Sequence, residues 1–211
     1  MGKYNLPALR APIVFLAMLL NHILIGVFWA MYGVLHSVLA SLGVKNYFRK
    51  ISGAYFKHYR LTYTLFAFIG LILIVWFQAT TPSINLFTPV FLTKAAGCII
   101  AVVGLIIMFV CIKKYFMGLS GLRSLLHEEV YSELLISGIH RHVRHPLYLG
   151  TFLFIWGLVV VFPTLSLFIS SSVITIYTLI GIRLEEKKLV HEFGDKYVAY
   201  QETVPKLIPR I

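Results

Sequence analysis

The sequence has little charge: Asp, Glu, Lys and Arg make up 13% of its 211 residues, against 59% hydrophobic residues. A water-soluble domain carries about twice that share of charged side chains. Apolar runs of about 20 residues recur, and each is long enough to cross a hydrocarbon core of roughly 30 Å as a helix. The composition therefore excludes a soluble globular domain and predicts a polytopic helical membrane protein.

Acidic residues are especially scarce, because eight Asp and Glu stand against 19 Lys and Arg, for a formal net charge of +11. In a soluble protein this balance would suggest a nucleic-acid partner. Here 16 of the 19 basic residues lie in the segments 43–61, 113–146 and 183–211, which face one side of the predicted bundle. The positive-inside rule explains that asymmetry without nucleic acid, and places the N-terminus outside and the C-terminus in the cytoplasm.

Cysteine is also scarce, with Cys98 and Cys111 in one apolar run. On a single helix they would lie about 20 Å apart, too far for a disulfide, so we interpret them as core thiols. The first apolar run, from Ile13 to Leu42, is too long for a cleavable signal peptide and lacks a small-residue cleavage site. Its length fits either one tilted helix or an interfacial segment followed by a span.

Five membrane helices are predicted, the first within 13–42 and the others over about 62–78, 94–112, 147–161 and 164–182. Gly97 and Gly104 are available for close helix contact in the third. The chain from 183 to about Gln201 has the apolar spacing of an amphipathic helix. The predicted fold is all-α: a single-domain polytopic membrane helix bundle (1–211) of about five transmembrane helices, with a C-terminal helical hairpin and a cytoplasmic amphipathic tail helix.

The polar chemistry is concentrated in the thirteen residues from Gly138 to Gly150, which include two Arg, three His, a Pro and a Tyr. Pro146 fits the first turn of a helix, where its missing N–H costs nothing. The free N–H groups of that helix would face the cytoplasm beside Arg144 and His145. Such a helix start, flanked by cationic groups, is suited to bind a carboxylate or a phosphate.

A second polar pair, Glu185-Glu186, follows the hairpin and returns to the same membrane face. Two adjacent acids near the bilayer are costly unless they bind something cationic. A ligand with a carboxylate and a positive charge would satisfy both clusters, and so would an internal salt bridge between Arg144 and Glu185. The three histidines of the first cluster leave two other possibilities open: a metal site completed by a Glu, or interfacial charges that anchor a helix.

Three motifs resemble the C-terminal half of the isoprenylcysteine carboxyl methyltransferase superfamily: His142-Val-Arg-His-Pro-Leu-Tyr-Leu-Gly150, Arg183-Leu-Glu-Glu186, and Phe193-Gly-Asp-Lys-Tyr197 with Tyr200, Val204-Pro205 and Pro209 after it. That superfamily contains integral membrane enzymes that use S-adenosylmethionine, including phospholipid methyltransferases. The shorter stretches His36-Ser-Val-Leu-Ala40 and Gly118-Leu-Ser-Gly-Leu-Arg123 resemble its bacterial branch of methanethiol S-methyltransferases and NnrU-like proteins.

The resemblance implies an S-adenosylmethionine-dependent methyltransferase without a metal, in which 138–211 binds the cofactor and 1–137 forms the substrate side. Arg144, His145 and Tyr148 would hold the cofactor's amino-acid end, and Gly150 would let the backbone approach it. Glu185 and Glu186 would bind its ammonium or ribose side, with Arg141 and His142 as neighbours. No glycine-rich nucleotide fingerprint is present, so the soluble methyltransferase fold is not used.

The acceptor is expected to be a small lipophilic molecule, first of all a small thiol, that enters from the membrane lipid. His36 and Arg123 are the expected catalytic residues, because they are among the few polar groups of the first half that could face such a pocket. His36 could instead be a packing histidine bonded to a neighbouring carbonyl. The alternative functions are carboxyl O-methylation of isoprenylcysteine, N-methylation of a phospholipid, and a non-enzymatic accessory or transport role in a bacterial inner membrane.

Overall fold

The computed structural model describes residues 6–119, 134 and 136–209. This part of the chain is helical, with short 3-10 turns at Gly53–His58 and Gly138–Arg141. The predicted all-α fold is therefore confirmed. The α-helices, numbered in chain order, are α1 Leu6–Ala40, α2 Leu42–Ser52, α3 Tyr59–Thr80, α4 Phe91–Leu119, α5 Pro146–Val161, α6 Leu165–Phe193 and α7 Asp195–Thr203.

Four of the described helices, α1, α3, α4 and α6, are long and apolar enough to cross a membrane. Many of their large apolar side chains are exposed, as is expected where helices face lipid. The fourth predicted span, over about 147–161, forms α5, which is apolar but has only 16 residues. Its length of about 24 Å is less than a full hydrocarbon core. The polytopic membrane bundle is confirmed, with four full-length spans and one short helix.

The first apolar run forms one continuous helix rather than two segments. α1 has 35 residues, about 52 Å, which is more than an untilted span requires. His22 is buried within it and donates from Nδ1 to the Met18 carbonyl at 2.7 Å. Its Nε2 lies 2.9 Å from the Ser83 hydroxyl, which therefore donates to it. Because both ring nitrogens are satisfied, this polar residue does not interrupt the helix.

The basic segment predicted as a loop over 43–61 is largely helical. Ser41 caps α2, because its side chain accepts a hydrogen bond from the Val44 N–H at 3.4 Å. Gly53, with a φ of 50°, ends the helix in a conformation that favours glycine. The Arg49 guanidinium lies 4.8 Å above the Phe56 ring. α2 is thus a short basic helix that follows the membrane end of α1, as interfacial helices do.

The helices pack in the order α4, α5, α6, α1, α3 across the bundle. α4 and α5 come closest, because a Cβ at Gly104 would lie 2.5 Å from the Phe154 backbone nitrogen. A Cβ at Gly97 would lie 2.9 Å from the Gly157 carbonyl oxygen. The predicted use of both α4 glycines for close helix contact is therefore confirmed.

The last span does not end near residue 182 as predicted. α6 continues without a break to Phe193, where Gly194 (φ 55°) ends it, and α7 follows. The residues from Arg183 onward are good helix formers, so nothing stops the helix before that glycine. Glu185 and Glu186 consequently stand on a rigid extension of the span.

Candidate functional site

The candidate site lies at the entry to α5, where the C-terminal tail runs alongside the Arg144-His145 segment. Pro146 occupies the first turn of α5, as predicted. The Arg144 N–H donates to the Pro205 carbonyl at 2.9 Å, and the His145 N–H donates to the Lys206 carbonyl at 3.1 Å. Two backbone hydrogen bonds therefore fix the tail against the motif.

Arg144 and Glu186 form a buried ion pair at the centre of this region. The guanidinium donates from Nε and Nη2 to Glu186 Oε1 at 2.9 and 2.7 Å. Only 8% and 10% of the two side chains are exposed. Arg144 Nη1 also donates to the carbonyls of Gln201, at 3.0 Å, and Val204. The sequence left open an internal salt bridge between Arg144 and Glu185. Arg144 instead pairs with the neighbouring acid, Glu186.

Two further groups complete the surroundings of the Glu186 carboxylate. The Lys206 ammonium lies 2.8 Å from Oε2, and His145 Nε2–H donates to Oε1 at 3.2 Å. Burial lowers the pKa of His145, while Glu185 and Glu186 oppose that shift. The imidazole is therefore neutral at pH 7. We call Arg144, His145, Glu186 and Lys206 the clasp, because they join the α5 entry, α6 and the tail.

Sequence reasoning did not find Lys206. Its only signal was its place directly after Val204-Pro205, in a motif that the resemblance already covered. The structure brings it to Glu186 because the tail turns back along residues 144–145. A contact over 20 positions that depends on a non-helical tail has no periodic pattern from which it could be predicted.

The open side of the clasp carries both signs of charge. Glu185 is 44% exposed and accepts a hydrogen bond from the Tyr148 hydroxyl at 3.1 Å. His145 stacks on Tyr148 with 5.6 Å between ring centroids. Lys206, which pairs with Glu186, is 40% exposed. An accessible carboxylate, an accessible ammonium and the Tyr148 ring together can receive a zwitterionic ligand.

Tyr197 adds a buried polar atom to the clasp. Its side chain is 1% exposed, and its hydroxyl has no hydrogen-bond partner within the described residues. Burial, reinforced by the nearby Glu186 carboxylate, raises the pKa of Tyr197 to about 12. The hydroxyl therefore stays protonated at neutral pH and is available as a donor.

The three histidines of the motif do not converge. His140 Nδ1 lies 3.2 Å from the Arg144 carbonyl, His142 is exposed, and His145 faces the two glutamates. Among the described residues, no three His, Cys, Asp or Glu side chains are grouped to hold a metal ion.

Three of the expected cofactor residues lie apart from the clasp. Arg141 ends the 3-10 turn and His142 follows it; both are exposed, and no side-chain hydrogen bond or ion pair joins them to the clasp within the described chain. Gly150 packs against α4 instead, because a Cβ there would lie 2.9 Å from the Gly104 carbonyl oxygen. Helix packing thus gives this glycine a structural role, and its expected contact with a cofactor stays a prediction. The expected catalytic Arg123 lies outside the described residues.

His36 lies on α1, one helix away from the clasp. Its exposed ring stacks on Tyr32 at 6.2 Å and meets the edge of Tyr63 at 6.3 Å. Unlike His22, it makes no hydrogen bond to a carbonyl within the described chain. The next residue, Ser37, shares a hydrogen bond of 2.8 Å with the Tyr177 hydroxyl of α6. Tyr177 stands two helical turns before Glu185, about 12 Å along α6.

Comparison with known proteins gives a family match over most of the chain. The profile of the NnrU protein family matches residues 23–208. A methanethiol S-methyltransferase of Crocosphaera subtropica is 32% identical, over 92% of this chain and 76% of the relative. Methanethiol S-methyltransferase 1 of Bradyrhizobium diazoefficiens is 30% identical, over 85% of this chain and 64% of the relative. The methanethiol S-methyltransferase of Mycobacterium tuberculosis is 28% identical, over 92% and 78%. No solved structure matches the chain significantly.

Proposed function

Because the chain belongs to the NnrU family, we propose that it is an integral membrane methyltransferase that uses S-adenosylmethionine to methylate a thiol. The names of its relatives supply the reaction class and make methanethiol the first acceptor to test. One structural observation carries the assignment of the cofactor site. The clasp leaves Glu185, Tyr148 and Lys206 open around a buried ion pair, on a rigid helical hairpin.

The exposed groups fit the chemistry of the cofactor. Its amino-acid end has a carboxylate, which the Lys206 ammonium can bind, and an ammonium, which the Glu185 carboxylate can bind. Its sulfonium is a cation, which the aromatic ring of Tyr148 can attract. When bound, the cofactor supplies a methyl group on an electrophilic carbon.

The buried groups position the exposed ones. Arg144 and Glu186 already satisfy each other, so their role is to hold α6 and the tail in register with the α5 entry. The buried Tyr197 ring packs with Tyr200 and Val204 and so supports the tail segment. Arg141, His142 and Gly150 gain no support as direct cofactor contacts from their positions.

The acceptor side is assigned to the first half of the chain. A thiol reacts as its thiolate, and a nearby imidazole or guanidinium favours that form. His36 has the required imidazole without a hydrogen-bond partner in the described chain. The catalytic role that the sequence predicts for Arg123 remains a proposal. The basic residues of α2 and the tail favour a cytoplasmic site in a bacterial inner membrane, with the N-terminus outside.

The test is turnover by purified protein in lipid nanodiscs supplied with S-adenosylmethionine and methanethiol. We expect dimethyl sulfide and S-adenosylhomocysteine in equal amounts, and at least a tenfold loss of kcat/KM in Glu185→Gln. The matched control is Glu202→Gln, which makes the same change at an exposed position of α7. Folded wild-type protein that forms no S-adenosylhomocysteine with methanethiol or any other thiol would contradict the proposal.

A further inference from the structure

A cavity of about 390 Å³ lies between α1 and α3, on the opposite side of α1 from α6. Its walls are apolar or aromatic along most of their length. On α1 they run from Phe28 to Leu39, and on α3 from Phe66 to Phe77. Each wall is about 16 Å long, the length of roughly a dozen carbon–carbon bonds.

The cavity opens sideways to the lipid. Leu73 and Trp76 line it and remain 57% and 65% exposed. An apolar molecule dissolved in the bilayer can therefore enter without crossing water. Close packing holds membrane helices together, so an unfilled volume of this size between two of them costs packing contacts unless a molecule occupies it.

The polar end of the cavity is at His36. A smaller hollow of about 280 Å³ shares Tyr32, His36 and Ala67 with the main cavity and adds Tyr63 and Thr64. Ser37, next to His36, is hydrogen-bonded to Tyr177 on the helix that carries Glu185. The imidazole end of the cavity is thus at the level of Tyr177, whose helix leads to Glu185 and the clasp.

The volume is far larger than methanethiol requires. A water molecule occupies about 30 Å³ of liquid, so a molecule of two heavy atoms fills well under a quarter of the cavity. Pockets of roughly 300–1,000 Å³ are typical for ligands of many heavy atoms. Methanethiol alone leaves most of these walls without contacts.

Building on the proposed function, we infer that the acceptor is an alkyl thiol whose chain of roughly six to twelve carbons lies in this cavity. Its sulfur lies at His36. The acceptor sulfur forms a bond to the methyl carbon, and the bond between that carbon and the donor sulfur breaks, with its electron pair staying on the donor sulfur. The thiol proton passes to the His36 imidazole and then to water.

The first measurement uses cofactor-free protein at one fixed detergent concentration. Calorimetry compares binding of decyl methyl sulfide, which has the chain but no reactive thiol, with binding of dimethyl sulfide. Gly70→Leu fills the cavity. A Cβ at Gly70 meets only Tyr32, at the ordinary contact distance of 3.7 Å, so the helix can carry a side chain there without moving. The matched control is Ile69→Trp, which enlarges the adjacent residue that is 56% exposed and lies outside the cavity wall.

The second measurement is S-adenosylhomocysteine formation with methanethiol, hexanethiol and decanethiol. Each buried methylene improves affinity roughly fourfold, so the KM of the wild type falls with chain length. Gly70→Leu should raise the KM for decanethiol at least about tenfold, while Ile69→Trp stays within about twofold. Comparison of variants cancels the partition of the thiols into detergent. Retained binding of S-adenosylhomocysteine by Gly70→Leu verifies that it is folded.

The outcomes separate this inference from the proposed function. Turnover of methanethiol with no preference for longer chains, and no effect of Gly70→Leu on decanethiol, would overturn the inference and leave the methyltransferase intact. Saturable binding of decyl methyl sulfide that Gly70→Leu abolishes, without turnover of any thiol, would support the cavity as an alkyl-chain site and contradict the methyltransferase. Binding of decyl methyl sulfide that phospholipid displaces and Gly70→Leu leaves unchanged would also overturn the inference.

Discussion

Arg144 and Glu186 lie 42 positions apart and form a buried ion pair with 2.7 Å between Nη2 and Oε1. Through the same guanidinium, Arg144 also holds the carbonyls of Gln201 and Val204. One side chain therefore connects the start of α5, the extension of α6 and the C-terminal end of α7. This pair also positions the open carboxylate of Glu185, because Glu185 directly precedes Glu186 on the same helix.

The first prediction concerns removal of one partner of the pair. Arg144→Met or Glu186→Met should each lower the stability of the folded protein by about 3–5 kcal/mol, because a buried charge loses the partner to which two hydrogen bonds join it. The double variant should be more stable than either single variant, since both charges are gone and Lys206 can turn to water. Thermal unfolding in detergent measures the order of stability of the two single variants and the double variant. A double variant that is as unstable as the sum of the two singles would contradict this account.

The second prediction concerns pH. The folded protein binds a proton at His145 less readily than the unfolded chain, whose pKa is about 6.5, because burial lowers the pKa of His145. The resulting contribution to stability is fully present above pH 6.5 and is lost as the pH falls through the lower folded value. The melting temperature should therefore decline below pH 6.5, and His145→Gln should flatten part of that decline. His191→Gln, at an exposed position of α6, serves as the control and should leave the slope unchanged.

The long apolar runs predicted the helical membrane fold, because a segment that crosses the bilayer must satisfy its own backbone hydrogen bonds and a helix does so. The sequence also predicted Pro146 at the start of α5 and the proximity of Arg144 and His145 to the Glu185-Glu186 pair. A hairpin of two helices returns the chain to the same face, so these neighbours follow from topology. The pairing of Arg144 with Glu186 rather than Glu185 did not follow, since adjacent helix positions point about 100° apart and only packing decides between them.

Other features depend on contacts that a linear pattern does not contain. The loop predicted over 43–61 forms α2, because its basic residues lie on a helix that is anchored at Ser41. Lys206 reaches Glu186 only because the tail turns back along the α5 entry. The role of Gly150 was assigned from a motif, whereas its close approach to α4 requires knowledge of which helices pack together.

The third prediction concerns the α4–α5 contact. Gly104→Ala should destabilise the protein by about 1–3 kcal/mol, because the new Cβ would meet the Phe154 backbone nitrogen at 2.5 Å and the helices must separate. Gly181→Ala is the matched control in α6, where a Cβ meets nothing within 4 Å. It should be neutral or slightly stabilising, since alanine is the better helix former. Equal melting temperatures for the two variants would show that the close approach is not required.

The central claim is that the open side of the clasp binds the cofactor, and its direct test is calorimetric binding of S-adenosylhomocysteine to purified protein. The wild type should bind, and Glu185→Gln and Lys206→Gln should each weaken binding by about tenfold to a hundredfold, because each removes a charge-assisted hydrogen bond. The exposed controls Glu202→Gln and Lys188→Gln should bind like the wild type. Binding that is unchanged in both clasp variants, or no binding by folded wild-type protein, would contradict the account.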